Sequence, residues 1–248
     1  ICHLDHSLKS IKDIPQEPSA IGGDTLVCFG SKSYAVQPVS GQTFNWSLSG
    51  GGNVSAFGNA AIVNWNDTGH YDLNVSATNL CGTGPLQQLG VNVLTTPESP
   101  QFTIPDTLVC KGEILNYDLE EKPFETYNWT LNRGGLLNPQ DSLATINWLD
   151  TGISTLSVNA TNLCGTGPSN SIDVRVNDVP ARPGIIGTDK VCLDTSLYTT
   201  PFISSVSYNW NLLSGGSQID SLNTSQIVWI DTGTHIINLS LSNNCGTG

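Results

Sequence analysis

The 248-residue sequence predicts an all-β chain of three tandem β-sandwich domains in an elongated array, and three observations predict it. Apolar residues alternate with a period of two, as half-buried strands of antiparallel sheets require. All six tryptophans and six of the seven cysteines recur on one long period. Helical periodicity is absent from every stretch of ten residues or more.

The period organises the chain. Trp46, Trp129 and Trp210 recur at spacings of 83 and 81, and so do Trp65, Trp148 and Trp229. Cys28, Cys110 and Cys192 lie 82 apart, while Cys81, Cys164 and Cys245 follow at 83 and 81. The units this defines are 19–96, 97–179 and 180–248, with 1–18 read as the end of a preceding unit plus its linker.

Each unit opens on P-x-x-P (Pro15/Pro18, Pro97/Pro100, Pro180/Pro183), which favours an extended, semi-rigid spacer rather than a recognition ligand. A short strand carrying the first cysteine follows. The next element reads aromatic-Asn-Trp-polar-Leu, as in Phe44-Asn45-Trp46-Ser47-Leu48, Tyr127-Asn128-Trp129-Thr130-Leu131 and Tyr208-Asn209-Trp210-Asn211-Leu212, and places both rings and the leucine on one face. Gly51-Gly52, Gly134-Gly135 and Gly215-Gly216 supply turns. The second tryptophan shares a face with Val63, Ile146 or Ile227 two positions earlier. Two large rings per unit, each burying on the order of 200 Å², suffice for a small core. A further strand alternates Leu73/Val75/Ala77, Leu156/Val158/Ala160 or Ile237/Leu239/Leu241 with polar residues and leads to the second cysteine. Units one and two then add a last strand, Leu89/Val91/Val93 and Ile172/Val174/Val176, for which unit three has no counterpart.

Parity, with the strands taken as unbroken, places both cysteines of a unit on the core face. The expected bridges are Cys28–Cys81, Cys110–Cys164 and Cys192–Cys245, joining an early to a late strand within each sandwich. Each would stabilise its domain by about 4 kcal/mol in the chain-entropy treatment. Buried thiols and zinc are the weaker readings, since no C-x-x-C or paired His is present. Bridged cysteines imply an oxidising, extracellular location. Cys2 matches the last cysteine of a preceding unit. That match, the absence of methionine and of a signal peptide, and the missing last strand lead us to expect a window from a longer array. The alternative is a complete subunit whose segment from Leu4 to Ile14 completes the third unit of a neighbour, giving head-to-tail filaments.

The run Val27-Cys28, Tyr34, Asn45-Trp46, Trp65 and Ala77-Thr78-Asn79-Leu80-Cys81-Gly82-Thr83-Gly84 resembles the PKD-like repeat of secreted and cell-surface proteins of Bacteroidota. The better-known PKD domain has an acidic W-D-F-G-D-G turn, whereas Trp46 here precedes Ser47-Leu48-Ser49-Gly50, so only the PKD-like variant fits. The resemblance implies immunoglobulin-like sandwiches in tandem, often within adhesins exported by the type IX system, and implies no catalytic residues. The O-glycosylation signal of that phylum, similar to Asp-Ser/Thr-aliphatic, falls on Thr25, Thr107, Ser142 and Ser221.

Composition narrows the function further. Nine Lys+Arg against 21 Asp+Glu give a net charge of −12, which excludes phosphate-neutralising nucleic-acid binding. No apolar run approaches the ~18 residues of a membrane span. D-T-G occurs at Asp67, Asp150 and Asp231, but three copies in units of this size suit tight turns better than the paired carboxylates of an aspartic protease. His3, His6, His70 and His235 do not align between units and read as surface residues. Glu17, Glu98 and Asp178 are too scattered for junctional calcium. The reading is therefore a non-catalytic extracellular structural array of a bacterial adhesin, filament or stalk, without cofactor or metal. Its partners would be neighbouring repeats, filament subunits or surface glycans. The alternative is a spacer or carbohydrate-binding module of a secreted polysaccharide-degrading enzyme, which would expose aromatic platforms; the core parity of the tryptophans disfavours it.

Overall fold

The computed structural model describes residues 13–103 and 105–248. Cys2, His3, His6 and most of the proposed donor segment lie outside the described residues. Among those described, every regular element is a β-strand.

The first set comprises β1 (Leu26–Cys28), β2 (Gly30–Ala35), β3 (Thr43–Leu48), β4 (Gly52–Phe57), β5 (Ala60–Trp65), β6 (Gly69–Asn79) and β7 (Gly82–Leu94). One sheet runs β1-β7-β6-β3 and the other β2-β5-β4. The second set comprises β8 (Leu108–Cys110), β9 (Ile114–Asp118), β10 (Thr126–Leu131), β11 (Gly135–Gln140), β12 (Leu143–Trp148), β13 (Gly152–Asn162), β14 (Gly165–Thr166) and β15 (Asn170–Asn177). It repeats the arrangement as β8-β15-β13-β10, with β14 on β13, and β9-β12-β11. The third set comprises β16 (Thr195–Thr199), β17 (Ser207–Leu212), β18 (Gly216–Ser221), β19 (Thr224–Trp229), β20 (Ile237–Asn243) and β21 (Gly246–Thr247), paired as β16-β19-β18 and β17-β20-β21.

The chain divides into two compact units. One holds the described residues up to Ser99 with Lys122–Tyr127 and Asn159–Pro168; the other holds Pro100–Glu121, Asn128–Val158 and Ser169–Gly248.

Alternation does place the core. Val27, Leu73, Val75, Val91 and Val93 from one sheet meet Tyr34, Val63 and Trp65 from the other in a single buried cluster, which makes the first set a sandwich. Trp65, Trp148 and Trp229 each pack edge-to-face on a tyrosine, Tyr34, Tyr117 and Tyr198, with ring centroids 6.4, 6.2 and 6.3 Å apart. Each tyrosine hydroxyl donates at 3.1 Å to a carbonyl, that of Asp24, Asp106 or Thr188. The first tryptophans hold the hairpins in register. Trp46, Trp129 and Trp210 donate from Nε1 to the carbonyl oxygens of Gly58, Asp141 and Leu222, at 3.2, 2.7 and 3.0 Å. All three acceptors occupy the left-handed region, at φ 63°, 55° and 48°.

In the P-x-x-P segments Pro15, Pro18, Pro97 and Pro100 are buried, while Pro180 and Pro183 are half-buried. One expectation is corrected here. His235 is not a surface residue: it is half-buried and stacks on Trp229 at 5.5 Å, in the place that Tyr71 fills against Trp65 at 6.2 Å.

Candidate functional site

The residues shared by all three sets converge on the turn that ends the long strand before the second cysteine. In each turn an asparagine side chain makes the same pair of hydrogen bonds. Oδ1 of Asn79, Asn162 and Asn243 accepts from the backbone N–H of Cys81, Cys164 and Cys245, each at 2.8 Å, which is an Asx turn. Nδ2 of the same residues donates to the carbonyls of Asp13, Thr95 and Asp178 at 2.7, 2.7 and 2.8 Å. These carbonyls lie two residues before Pro15, Pro97 and Pro180. One short side chain thus shapes the tip and clasps the linker that enters the repeat.

The G-x-G that follows each cysteine serves the same contact. A Cβ on Gly84 would stand 2.1 Å from the Pro15 carbonyl oxygen, and one on Gly167 would stand 2.3 Å from that of Pro97, so only glycine lets the linker backbone lie so close. Thr78 and Thr83 pair their hydroxyls across the first tip at 2.9 Å, and Thr161 and Thr166 do so across the second at 3.0 Å. The motif A-T-N-x-C-G-x-G is therefore a clasp around the preceding linker.

The cysteines in these tips do not bond within their own repeats. The bridges are Cys28–Cys164 and Cys110–Cys245, with Cα–Cα distances of 5.6 and 5.5 Å. This corrects the expected Cys28–Cys81, Cys110–Cys164 and Cys192–Cys245 pairing, for two physical reasons. First, β1 pairs in parallel with the far end of β7, Cys28 opposite Leu94, while Cys81 sits beyond the near end that starts at Gly82. Twelve residues of strand separate these ends, about 40 Å at ~3.3 Å per residue, against the ~7 Å limit for a disulfide. Secondly, the assumed parity fails. A bend at Phe29 separates β1 from β2, so Val27 is the fully buried residue and Cys28 only half-buried. A register shift at Ser76/Thr78 and the end of β6 at Asn79 likewise leave Cys81 exposed.

Cys28 and Cys110 thus stand at the base of a sandwich, turned from its core toward the clasp of the following repeat. In the second bridge Asn244 adds contacts, accepting from Nδ2 of Asn177 at 3.1 Å and approaching Sγ of Cys110 at 3.8 Å. Asparagine as clasp was missed by sequence reasoning, although its presence before all three tip cysteines was a signal.

The remaining candidates occupy ordinary structural positions. Gly69 and Gly152 of the D-T-G triplets open β6 and β13 and Gly233 lies ahead of β20, with φ of 144°, 123° and 140°. The preceding Asp67 and Asp150 donate their backbone N–H to the carbonyls of Gly51 and Gly134 at 3.2 and 3.1 Å. Of the glycosylation candidates, Thr25, Thr107 and Ser221 are exposed and Ser142 half-exposed. Trp65, Trp129, Trp148, Trp210 and Trp229 are buried and Trp46 half-buried. Burial pushes the Tyr34 hydroxyl above its usual range and that of Tyr117 up to about 12, with Asp24 and Asp106 adding to the rise. Among the described residues no cluster of three His, Cys, Asp or Glu is placed to hold a metal.

A protein-family model described as PKD-like domain matches residues 14–91 and 96–174. No curated protein matches the chain. Among solved structures, a crystal structure of domains A168–A170 from titin is 14% identical, with a TM-score of 0.42, 99% of this chain and 94% of that one being covered. The FN1–FN3 domains of chicken CNTN1 are 13% identical, with a TM-score of 0.35 and 94% and 95% covered. Murine CEACAM1b is 11% identical, with a TM-score of 0.36 and 64% and 99% covered.

Proposed function

Since this chain belongs to the PKD-like domain family, we propose that it is a stretch of an extracellular, non-catalytic structural array belonging to a bacterial surface adhesin, filament or stalk. Its repeats are taken as 19–96, 97–179 and 180–248. The observation that carries this reading is the bridging of Cys28 and Cys110, each at the base of one repeat, to the clasp of the next. Covalent ties between repeats contribute nothing to turnover. In an array under tension they keep each linker clasped when force acts along the chain.

Buried tryptophans support a structural role over sugar binding, since stacking on sugars needs solvent-facing rings. Bridged cysteines support an oxidising compartment. Export by the type IX system from a member of the Bacteroidota, and O-glycosylation at Thr25, Thr107, Ser142 and Ser221, extend the same reading.

The test is surface exposure. Antibody raised against the folded chain is expected to label intact producing cells, and external proteinase is expected to remove the signal. Labelling that requires permeabilisation overturns the proposal.

A further inference from the structure

The third repeat carries a base cysteine that the two bridges leave unused. Cys192 is exposed and free, one full period beyond Cys110 as Cys110 is beyond Cys28. Its surroundings also differ from those of its two counterparts. In the first repeat Val27 pairs with Val93 and is fully buried; in the second Val109 pairs with Val176 and is 1% exposed. Val191, the equivalent residue, lies outside any strand and is 41% exposed. Beside it runs a groove of about 680 Å³ whose lining includes Val191, Cys192, Tyr198, Trp229 and Ile237. Val93 and Val176 occupy the corresponding places in the other repeats, so the groove has the chemistry of a missing alternating strand.

We propose that Cys192 is the covalent attachment point for a following PKD-like repeat: an alternating strand that leads into that repeat fills the groove, and Cys192 bonds the tip cysteine of its N-x-C-G-x-G clasp. The groove and the cysteine belong to one site, since in the first two repeats the parallel pairing that fills the equivalent space also fixes Cys28 opposite Leu94 and Cys110 opposite Asn177. The oxidant is a glutathione disulfide. The Cys192 thiolate attacks one of its sulfurs and releases one glutathione; the tip thiolate then attacks the mixed disulfide at the Cys192 sulfur and releases the second. Two cysteine thiols lose two electrons and two protons, and one glutathione disulfide becomes two thiols.

This inference rests on the array reading for its partner, and its test is independent of cell-surface labelling. The whole chain is extended after Gly248 by a second copy of residues 168–248, so that the copied Ile172, Val174 and Val176 supply the strand and the copied Cys245 supplies the tip. A second extended chain carries a copy of residues 85–168 instead, whose tip bears Cys164. Both are oxidised with glutathione disulfide, alkylated and mapped without reduction. Alkylation of Cys192 is expected to fall at least tenfold relative to the unextended chain, with Cys192 recovered on the appended tip peptide. C192S is expected to return the appended tip thiol to full alkylation. The proposal is overturned if Cys192 stays alkylatable in both extended chains while Cys28–Cys164 and Cys110–Cys245 have formed, or if it bonds any other cysteine.

Discussion

Cys28 and Cys164, separated by 136 residues, are joined with their Cα atoms 5.6 Å apart, so the base of one repeat is tied to the clasp of the next. The second bridge begins inside the first and ends beyond it, since Cys110 lies between Cys28 and Cys164 while Cys245 lies after both. Interleaving makes the two bridges back each other up: with either one broken, the other still short-circuits most of the chain.

A single-molecule force experiment reads this directly. With both bridges closed, the shortest covalent path from Cys28 to Cys245 crosses to Cys164, runs back to Cys110 (164 − 110 = 54) and crosses again. C28S lengthens that path only to 110 − 28 = 82, whereas full reduction lengthens it to 245 − 28 = 217. At ~3.6 Å for each position, C28S should add about 100 Å of contour and reductant about 590 Å. Separate bridges inside each repeat would instead make C28S add the whole Cys28–Cys81 loop (81 − 28 = 53), about 190 Å. A gain of that larger size would contradict the interleaved pairing.

Asn162 is expected to contribute through both of its hydrogen bonds. N162A removes the cap on Cys164 and the donation to Thr95, lowering stability by about 2 kcal/mol at ~1 kcal/mol for each bond. N162D keeps an acceptor for the Cys164 N–H but cannot donate to Thr95, so it should recover about half of the loss. Thermal unfolding of the oxidised chain reads both; a variant series with no change in midpoint would remove the clasp from the account.

Leu222 holds φ at 48° in the hairpin between β18 and β19, 67% exposed, where the first repeat has Gly58. The left-handed region costs a residue with a Cβ about 1–2 kcal/mol, and glycine returns about 0.5–1 kcal/mol of that as extra backbone entropy on unfolding. L222G should therefore raise stability by about 0.5 kcal/mol, measurable as a higher unfolding midpoint. The Trp210 hydrogen bond to the residue 222 carbonyl is retained in that variant. A lower midpoint would show that the Leu222 side chain packs to more effect than its exposure implies.

Alkaline pH should weaken the second repeat. Tyr117 ionises near 10 in an unfolded chain and is held up to about 12 when folded, chiefly by burial. A raised tyrosine contributes stability that is present in full below about pH 10 and is lost as pH climbs toward about 12. Y117F should cost stability at neutral pH, through its bond to the Asp106 carbonyl and its packing on Trp148, yet show a flatter decline at alkaline pH. Denaturant titrations at pH 8 and pH 11 compare the two; parallel declines would exclude Tyr117 as the titrating group.

Local pattern was enough for the sandwiches. Alternation at Leu73/Val75/Ala77, the paired tryptophans and the long period each depend on residues near in sequence, and each is visible in the burial of Val75, Trp65 and Trp148. The clasp was half legible: its residues were the most distinctive in the chain, but their role required knowing that Pro97 returns to Gly167. The bridges were not legible. Parity can be counted only along an unbroken strand, and the bend at Phe29 and the shift at Ser76/Thr78 each reset the count. Residue order alone was sufficient to establish an all-β fold and six cysteines recurring with the repeat. Which cysteine meets which depends on the assembled sheets, because β1 joins at the end of β7 remote from its own tip, and a disulfide reaches only ~7 Å between Cα atoms.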